Sequence, residues 1–124
     1  MNKWVLLAGG GIAGTFLRYI VARWVPGFAG TDFPYGTLLI NLSACLLLGI
    51  FNSMEEVRSL LGPQARLFLM TGFCGAYSTF STWILETSNL LNDGEIMRAL
   101  LNVFGSAIAG FILYRLGTYI GAII

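Results

Sequence analysis

Apolar residues fill this chain in four long stretches, separated by short polar connectors. The first runs from Trp4 to about Val25 and is interrupted by Arg18 and Arg23. The second runs from Phe33 to Met54 without a charge. The third runs from Leu67 to Leu85 and ends at Glu86; the fourth runs from Ala99 to Tyr114, passes Arg115 and stays apolar to Ile124. About 20 apolar residues span the hydrocarbon core of a bilayer as a helix. The second and third stretches meet that length alone. The first and fourth meet it if Arg18 and Arg115 snorkel or face protein. Pro26, Gly27 and Gly30 mark the first turn, Gly62 and Pro63 the second, Asp93 and Gly94 the third. The pattern predicts an all-α integral membrane protein in which residues 1–124 form one unit of four transmembrane helices. The start, Met1-Asn2-Lys3 before an apolar run, could imitate a signal peptide. Its removal would discard the glycine-bearing face of the first span, so it is read as a span.

The third stretch departs from an ordinary lipid-facing helix. Gly72 to Glu86 reads Gly-Phe-Cys-Gly-Ala-Tyr-Ser-Thr-Phe-Ser-Thr-Trp-Ile-Leu-Glu. Glycines and hydroxyls at this density have little use in a helix that satisfies its own backbone. Irregular or polar backbone at membrane depth persists only where protein or a water-filled path covers it. The expectation is a broken third span, with the break at Gly72 to Ala76, lining a transport path.

Composition narrows the class. Of the 124 residues, 56% are hydrophobic and 10% charged, against about 25% charged in soluble domains. The net charge of +1 offers no face for nucleic acid. With no histidine, histidine acid–base chemistry and the usual metal sites drop out. Cys45 and Cys74 lie in apolar stretches, without metal spacing or a disulfide framework. No nucleophile–base pair can be assembled, which argues against an enzyme.

Charge also bears on orientation. With the N-terminus inside, Lys3, Arg58 and Arg66 fall inside, and Arg23 and Arg98 outside. That is almost no positive-inside bias. A small chain so balanced can insert both ways up, and two copies can pair antiparallel about an axis in the membrane plane. Small residues four apart allow close helix approach in lipid: Gly10 with Gly14, Gly117 with Gly121, Gly105 with Ala109, Ser106 with Gly110. Four spans leave little room for an internal path, and a dual-topology homodimer remedies this.

Polar groups inside the spans need partners. Asn41 lies mid-way along the second stretch, one turn after Thr37; Asn102 lies early in the fourth, one turn before Ser106. An unpaired amide in hydrocarbon costs several kcal/mol, so each bonds across a helix interface or faces a wet path. Arg18, inside the first span, is expected to be functional or paired, for instance on carbonyls of the broken third span. In the third span, Ser78, Thr79, Ser81 and Thr82 bring hydroxyls, and Phe80 and Trp83 lie three apart on one helical face. Aromatic edges carry positive charge and can stabilise a bare anion without holding it tightly. Weak donors at several sites let an ion enter and leave, as conduction requires. Carbonyls freed at the break suit a hard cation such as Na⁺ instead.

Three motifs now converge. Gly-x-x-Gly-x-x-x-Arg (Gly11 to Arg18), Gly-Thr-Leu-x-x-Asn (Gly36 to Asn41) and Gly-x-Cys-Gly-x-x-Ser-Thr-Phe-Ser-Thr (Gly72 to Thr82) resemble those of the Fluc fluoride channels, also called CrcB. The resemblance covers nearly the whole chain in the same order. It implies an antiparallel homodimer of dual-topology subunits in the cell (inner) membrane, with two fluoride pores and a central structural Na⁺. It implies passive fluoride efflux that protects a microbe from fluoride toxicity. By the same resemblance, Asn41, Phe80, Ser81, Thr82 and Ser106 match pore positions. Gly75 and Ser78 match positions whose carbonyls hold Na⁺. Arg18 matches the first-span arginine and Glu86 the acid that ends the third motif. Trp83 stands where a second phenylalanine is usual; its indole offers an edge and an N–H donor, but more bulk. Ala76 replaces a common glycine, and Asn102 falls near a position that often carries tyrosine or histidine. Small proton-coupled multidrug exporters share the size and four spans, but use a carboxylate deep in the first span, and Trp4 to Leu17 has none. A non-transporting assembly factor would have no use for the Ser-Thr-Phe-Ser-Thr run.

Overall fold

A computed structural model describes all residues 1–124, and every element in it is helical. Helix α1 spans Lys3–Ala29, capped by Asn2, whose side chain accepts the Trp4 N–H at 2.8 Å. It runs through Pro26, where a turn was expected. Proline removes one hydrogen bond within a helix, yet the last turn still closes, with the Gly30 N–H on the Pro26 carbonyl at 3.1 Å. The chain then leaves at Gly30, whose φ of 88° stops the helix. Helix α2 spans Tyr35–Arg58.

The third span is assembled from pieces. A short α3 (Pro63–Arg66) leads into a π-helical segment, Leu67–Cys74, and then α4 (Gly75–Tyr77). Ser78 and Thr79 are extended, with φ/ψ of −77°/157° and −147°/118°. Helix α5 (Phe80–Asn92) follows. The expected break is therefore present but displaced: Gly72 to Ala76 stay helical, and the chain opens at Ser78–Thr79. The reason is packing. Gly72 lies against Gly10 of α1, where an added Cβ would meet the Gly10 Cα at 3.1 Å. The glycines here serve close helix approach and not a turn. The fourth span joins α6 (Ile96–Leu100), a π-helical turn (Leu101–Gly105) and α7 (Ser106–Ile123).

Three helical segments are long and apolar enough to cross a membrane: Lys3–Ala29, Tyr35–Arg58 and Ile96–Ile123. The third span has the length but not the continuity, because of its break.

Two glycine seams hold the helices together. On α1, a Cβ at Gly10 would collide with the Phe68 carbonyl, and one at Gly14 with the Phe73 carbonyl. On α7, a Cβ at Gly117 would strike the Leu46 carbonyl of α2, and one at Gly121 the Ile50 carbonyl. Gly49 of α2 lies equally close to the Tyr114 carbonyl. These are the small-residue contacts expected where lipid supplies no hydrophobic drive between helices. Of the other expected pairs, a Cβ added at Gly110 would lie 3.3 Å from the Cys45 Sγ, while one at Gly105 would face open space. A small core of Ile40, Ala44 and Tyr77, with Val21 and Phe73 packed against it, joins α2 to α1 and the third span.

The ends are tied by polar contacts. At one end Arg66 pairs with Glu55 at 4.0 Å, and Arg58 donates to the Ala122 carbonyl at 3.4 Å. At the other, Arg98 pairs with Glu95 at 3.6 Å and reaches the Asp32 carbonyl at 3.5 Å. Arg58 and Arg66 therefore share one end and Arg98 lies at the other, as the sequence implied.

Candidate functional site

The open backbone at Ser78–Thr79 has to be satisfied, and Asn41 of α2 satisfies it. The Thr79 N–H donates to Asn41 Oδ1 at 2.8 Å, and Asn41 Nδ2 donates back to the Thr79 carbonyl at 3.1 Å. One side-chain amide thus replaces both partners that an intact helix would have given Thr79. The Thr79 hydroxyl caps α5, accepting the Thr82 N–H at 3.3 Å and donating to Thr82 Oγ1 at 3.0 Å. On the other side of the gap, Ser78 folds back, its N–H and hydroxyl both on the Cys74 carbonyl at 3.1 and 3.0 Å. The Ser78 carbonyl accepts no hydrogen bond within the subunit.

Two concavities lie on either side of this clamp. The first is a groove of about 240 Å³ lined by Asn41, Cys45, Trp83, Ser106, Gly110 and Phe111 among others. It brings together three of the residues expected at a pore: Asn41, Trp83 and Ser106. The second is a cleft of about 260 Å³ lined by Thr15, Arg18, Tyr19, Thr37, Thr79 and Thr82 among others. Thr82 belongs to this cleft and not to the groove. A neighbouring hollow of about 200 Å³ shares Ala22 and Thr37 with the cleft and reaches Glu86. Arg18 and Glu86 so lie along one polar path, without forming an ion pair.

Arg18 makes no hydrogen bond to the third span. Its Nε is buried without a partner, as is Oε1 of Glu86. The expected grip of Arg18 on the broken backbone is corrected here: Asn41 already fills that role, so the guanidinium stays in the cleft. Phe80 and Ser81 are exposed on the subunit surface, Phe80 by 71%. Gly75 is exposed as well.

Phe80 and Trp83 meet edge to face, with ring centroids 5.4 Å apart and planes at 66°. The indole N–H is already committed: Trp83 Nε1 donates to the Asn102 carbonyl at 2.9 Å. It therefore has only its ring edge to give an anion, which corrects the expectation of a free N–H donor. Asn102, 1% exposed, proves more central than its sequence position indicated. Its Nδ2 donates to Thr87 Oγ1 at 2.8 Å, and Thr87 donates to the Trp83 carbonyl at 2.8 Å. Ser106 approaches Asn102 Oδ1 at 3.4 Å. Thr87 was missed by sequence reasoning. Its spacing of four from Trp83 was the available signal, since a threonine hydroxyl bonds the carbonyl one turn back.

As a whole the arrangement offers hydroxyls, an amide and aromatic edges, with no acid or base poised for chemistry. No group of histidine, cysteine or carboxylate side chains could hold a metal.

Comparison with known proteins fits this picture. Residues 5–118 match the family model described as CrcB-like protein, Camphor Resistance (CrcB). A protein from Chlorobium phaeobacteroides (strain BS1) named fluoride-specific ion channel FluC is 42% identical over 113 residues, covering 91% of this chain and 88% of the relative. One of the same name from Chlorobaculum tepidum is 44% identical over 118 residues, covering 95% and 93%. Another from Maridesulfovibrio salexigens is 38% identical over 124 residues, covering 100% and 98%.

Proposed function

Because this chain belongs to the CrcB-like family, we propose that it is a fluoride-specific ion channel subunit, a multi-pass membrane protein and not an enzyme. It lets fluoride leave the cell passively and so protects against fluoride toxicity. The observation that carries this reading is the Asn41–Thr79 clamp. It holds a helix open at membrane depth at the cost of a dedicated side chain. An intact helix would need no such device, so the opening has a use. Beside it lies a groove with an amide, a hydroxyl and an indole edge. Such donors can replace part of fluoride's hydration shell, and none is strong enough to trap the ion.

The working unit is an antiparallel homodimer with two pores. Three features support this. The Lys/Arg distribution gives almost no orientation bias. The subunit surface at the break carries Ser81, a hydroxyl without a hydrogen bond, and the unpartnered Ser78 carbonyl. Polar groups like these are not left against lipid, and a second copy would cover them. Phe80, exposed beside them, would then complete the path with Trp83, Asn41 and Ser106, while Thr82 faces the cleft on the other side of the clamp.

The same surface fits a structural Na⁺. The Ser78 carbonyl is free, and Gly75 has no Cβ to obstruct approach, the nearest atom to one being the Met70 carbonyl at 3.9 Å. A hard cation takes carbonyl oxygen readily. Bound there, it would supply positive charge between the two copies. Arg18 and Glu86 line the polar approach on the other side of the clamp.

The test is fluoride efflux from liposomes carrying the purified protein, with and without an imposed proton gradient. Fluoride release that needs no proton gradient supports a channel. Release that requires one would indicate an exporter.

A further inference from the structure

Trp83 brings a bulky ring to the wall of a groove of only about 240 Å³. A tryptophan side chain turns about two bonds, so a ring at this wall has other positions open to it unless it is held. The structure ties it down at both ends. The ring N–H is on the Asn102 carbonyl at 2.9 Å. The backbone carbonyl of Trp83 accepts from Thr87 Oγ1 at 2.8 Å, and Thr87 accepts from Asn102 Nδ2 at 2.8 Å. This closes a loop: indole, Asn102, Thr87 and back to the main chain of Trp83. The Thr87 hydroxyl gives its proton to that carbonyl and accepts the amide, so its polarity is fixed. Both supports are buried, Asn102 to 1% and Thr87 to 8% exposure. The loop joins α5 to the π-helical turn of the fourth span, so the ring is referred to two elements at once.

Resting on the channel reading above, we propose that Thr87 and Asn102 are positioning residues that park the Trp83 indole against the groove wall. The parked ring leaves its edge toward the anion and the path clear. Neither residue need touch fluoride. A ring without the extra bulk and without an N–H would have no need of the device, so its importance is conditional on Trp83.

That conditionality is the test. Fluoride efflux is measured from liposomes for Thr87→Val and Thr87→Ser, each in the wild-type chain and in Trp83→Phe. Valine keeps the shape of threonine but strips Asn102 Nδ2 of its acceptor and the Trp83 carbonyl of its donor. A buried donor left unpaired is a strong local perturbation. Expected is a roughly tenfold loss of flux for Thr87→Val beside the native Trp83, and a change of less than about twofold in the Trp83→Phe background, the coupling expected of residues in one network. Thr87→Ser, which keeps the hydroxyl, should restore flux beside Trp83. Equal losses in both backgrounds would mean that Thr87 only supports the fold, and would overturn the proposal. So would wild-type flux in Thr87→Val. If Thr87→Val does not assemble, replacing Trp83 with 3-benzothienylalanine removes the ring donor while keeping its shape. Reduced flux then supports the proposal, and unchanged flux overturns it. A wild-type chain with no fluoride flux would instead fail the channel reading itself, and the proposal with it.

Discussion

Asn41→Asp exchanges an amide for a carboxylate of nearly the same size, and its effect can be worked from the clamp. The carboxylate still accepts the Thr79 N–H, which now lies 2.8 Å from Oδ1. It loses the donor that meets the Thr79 carbonyl at 3.1 Å and sets an oxygen in its place. Leaving that carbonyl unpaired costs about 1–3 kcal/mol. The new charge acts on the ion as well. Two unit negative charges about 4 Å apart at an effective dielectric of about 20 repel by about 4 kcal/mol. That equals roughly a thousandfold loss of anion occupancy. The charge effect is the larger of the two, so the substitution should suppress fluoride efflux by two to three orders of magnitude, roughly, while the protein still elutes as one species. Asn41→Ala, which breaks the clamp without adding charge, should lose less. Both are assayed as fluoride efflux from liposomes at matched protein content. Unchanged flux in Asn41→Asp would remove Asn41 from the path. Equal inactivity of the two variants would mean that the clamp alone, and not the field at the ion, sets the rate.

Phe80→Ile removes the ring edge from an exposed position and should cut fluoride flux without unfolding the subunit; a folded variant at wild-type rate would sink the ring-edge idea. Trp83→Phe gives up the hydrogen bond to Asn102 but also the bulk, and should preserve or raise flux; complete loss would show that the chain depends on the indole. Gly117→Leu drives a side chain into the Leu46 carbonyl, which cannot move without distorting α2. No monodisperse protein should survive extraction and gel filtration, and a well-behaved variant would show that the α2–α7 seam has slack.

The helical, membrane-type architecture was legible because hydrophobic stretches of bilayer length leave little choice in lipid, and three of the four expected spans are continuous helices long and apolar enough to cross. The clefts near Arg18 and the groove beside Asn41 were legible only as residue types. An amide, hydroxyls and an arginine inside apolar stretches had to be partnered, but sequence did not say with what. The break was expected at Gly72 to Ala76 because glycine loosens a helix. It falls at Ser78–Thr79 instead, since Gly72 is held helical against Gly10 and Asn41 offers its amide to Thr79. A pairing 38 positions apart in sequence leaves no local trace. The indole N–H of Trp83 read as free for the same reason: its acceptor is a main-chain carbonyl, which every residue has and no sequence distinguishes. Asn102 was visible as an anomaly, and only the fold showed that it closes a loop with Thr87 and Trp83.

The central claim, that this chain conducts fluoride selectively, is tested most directly by reconstituting it in liposomes under a fluoride gradient and following efflux with a fluoride electrode, with chloride as the control. Rapid fluoride release with little chloride release is the expected result. No fluoride release from a verified dimer, or chloride release at a matching rate, would contradict it.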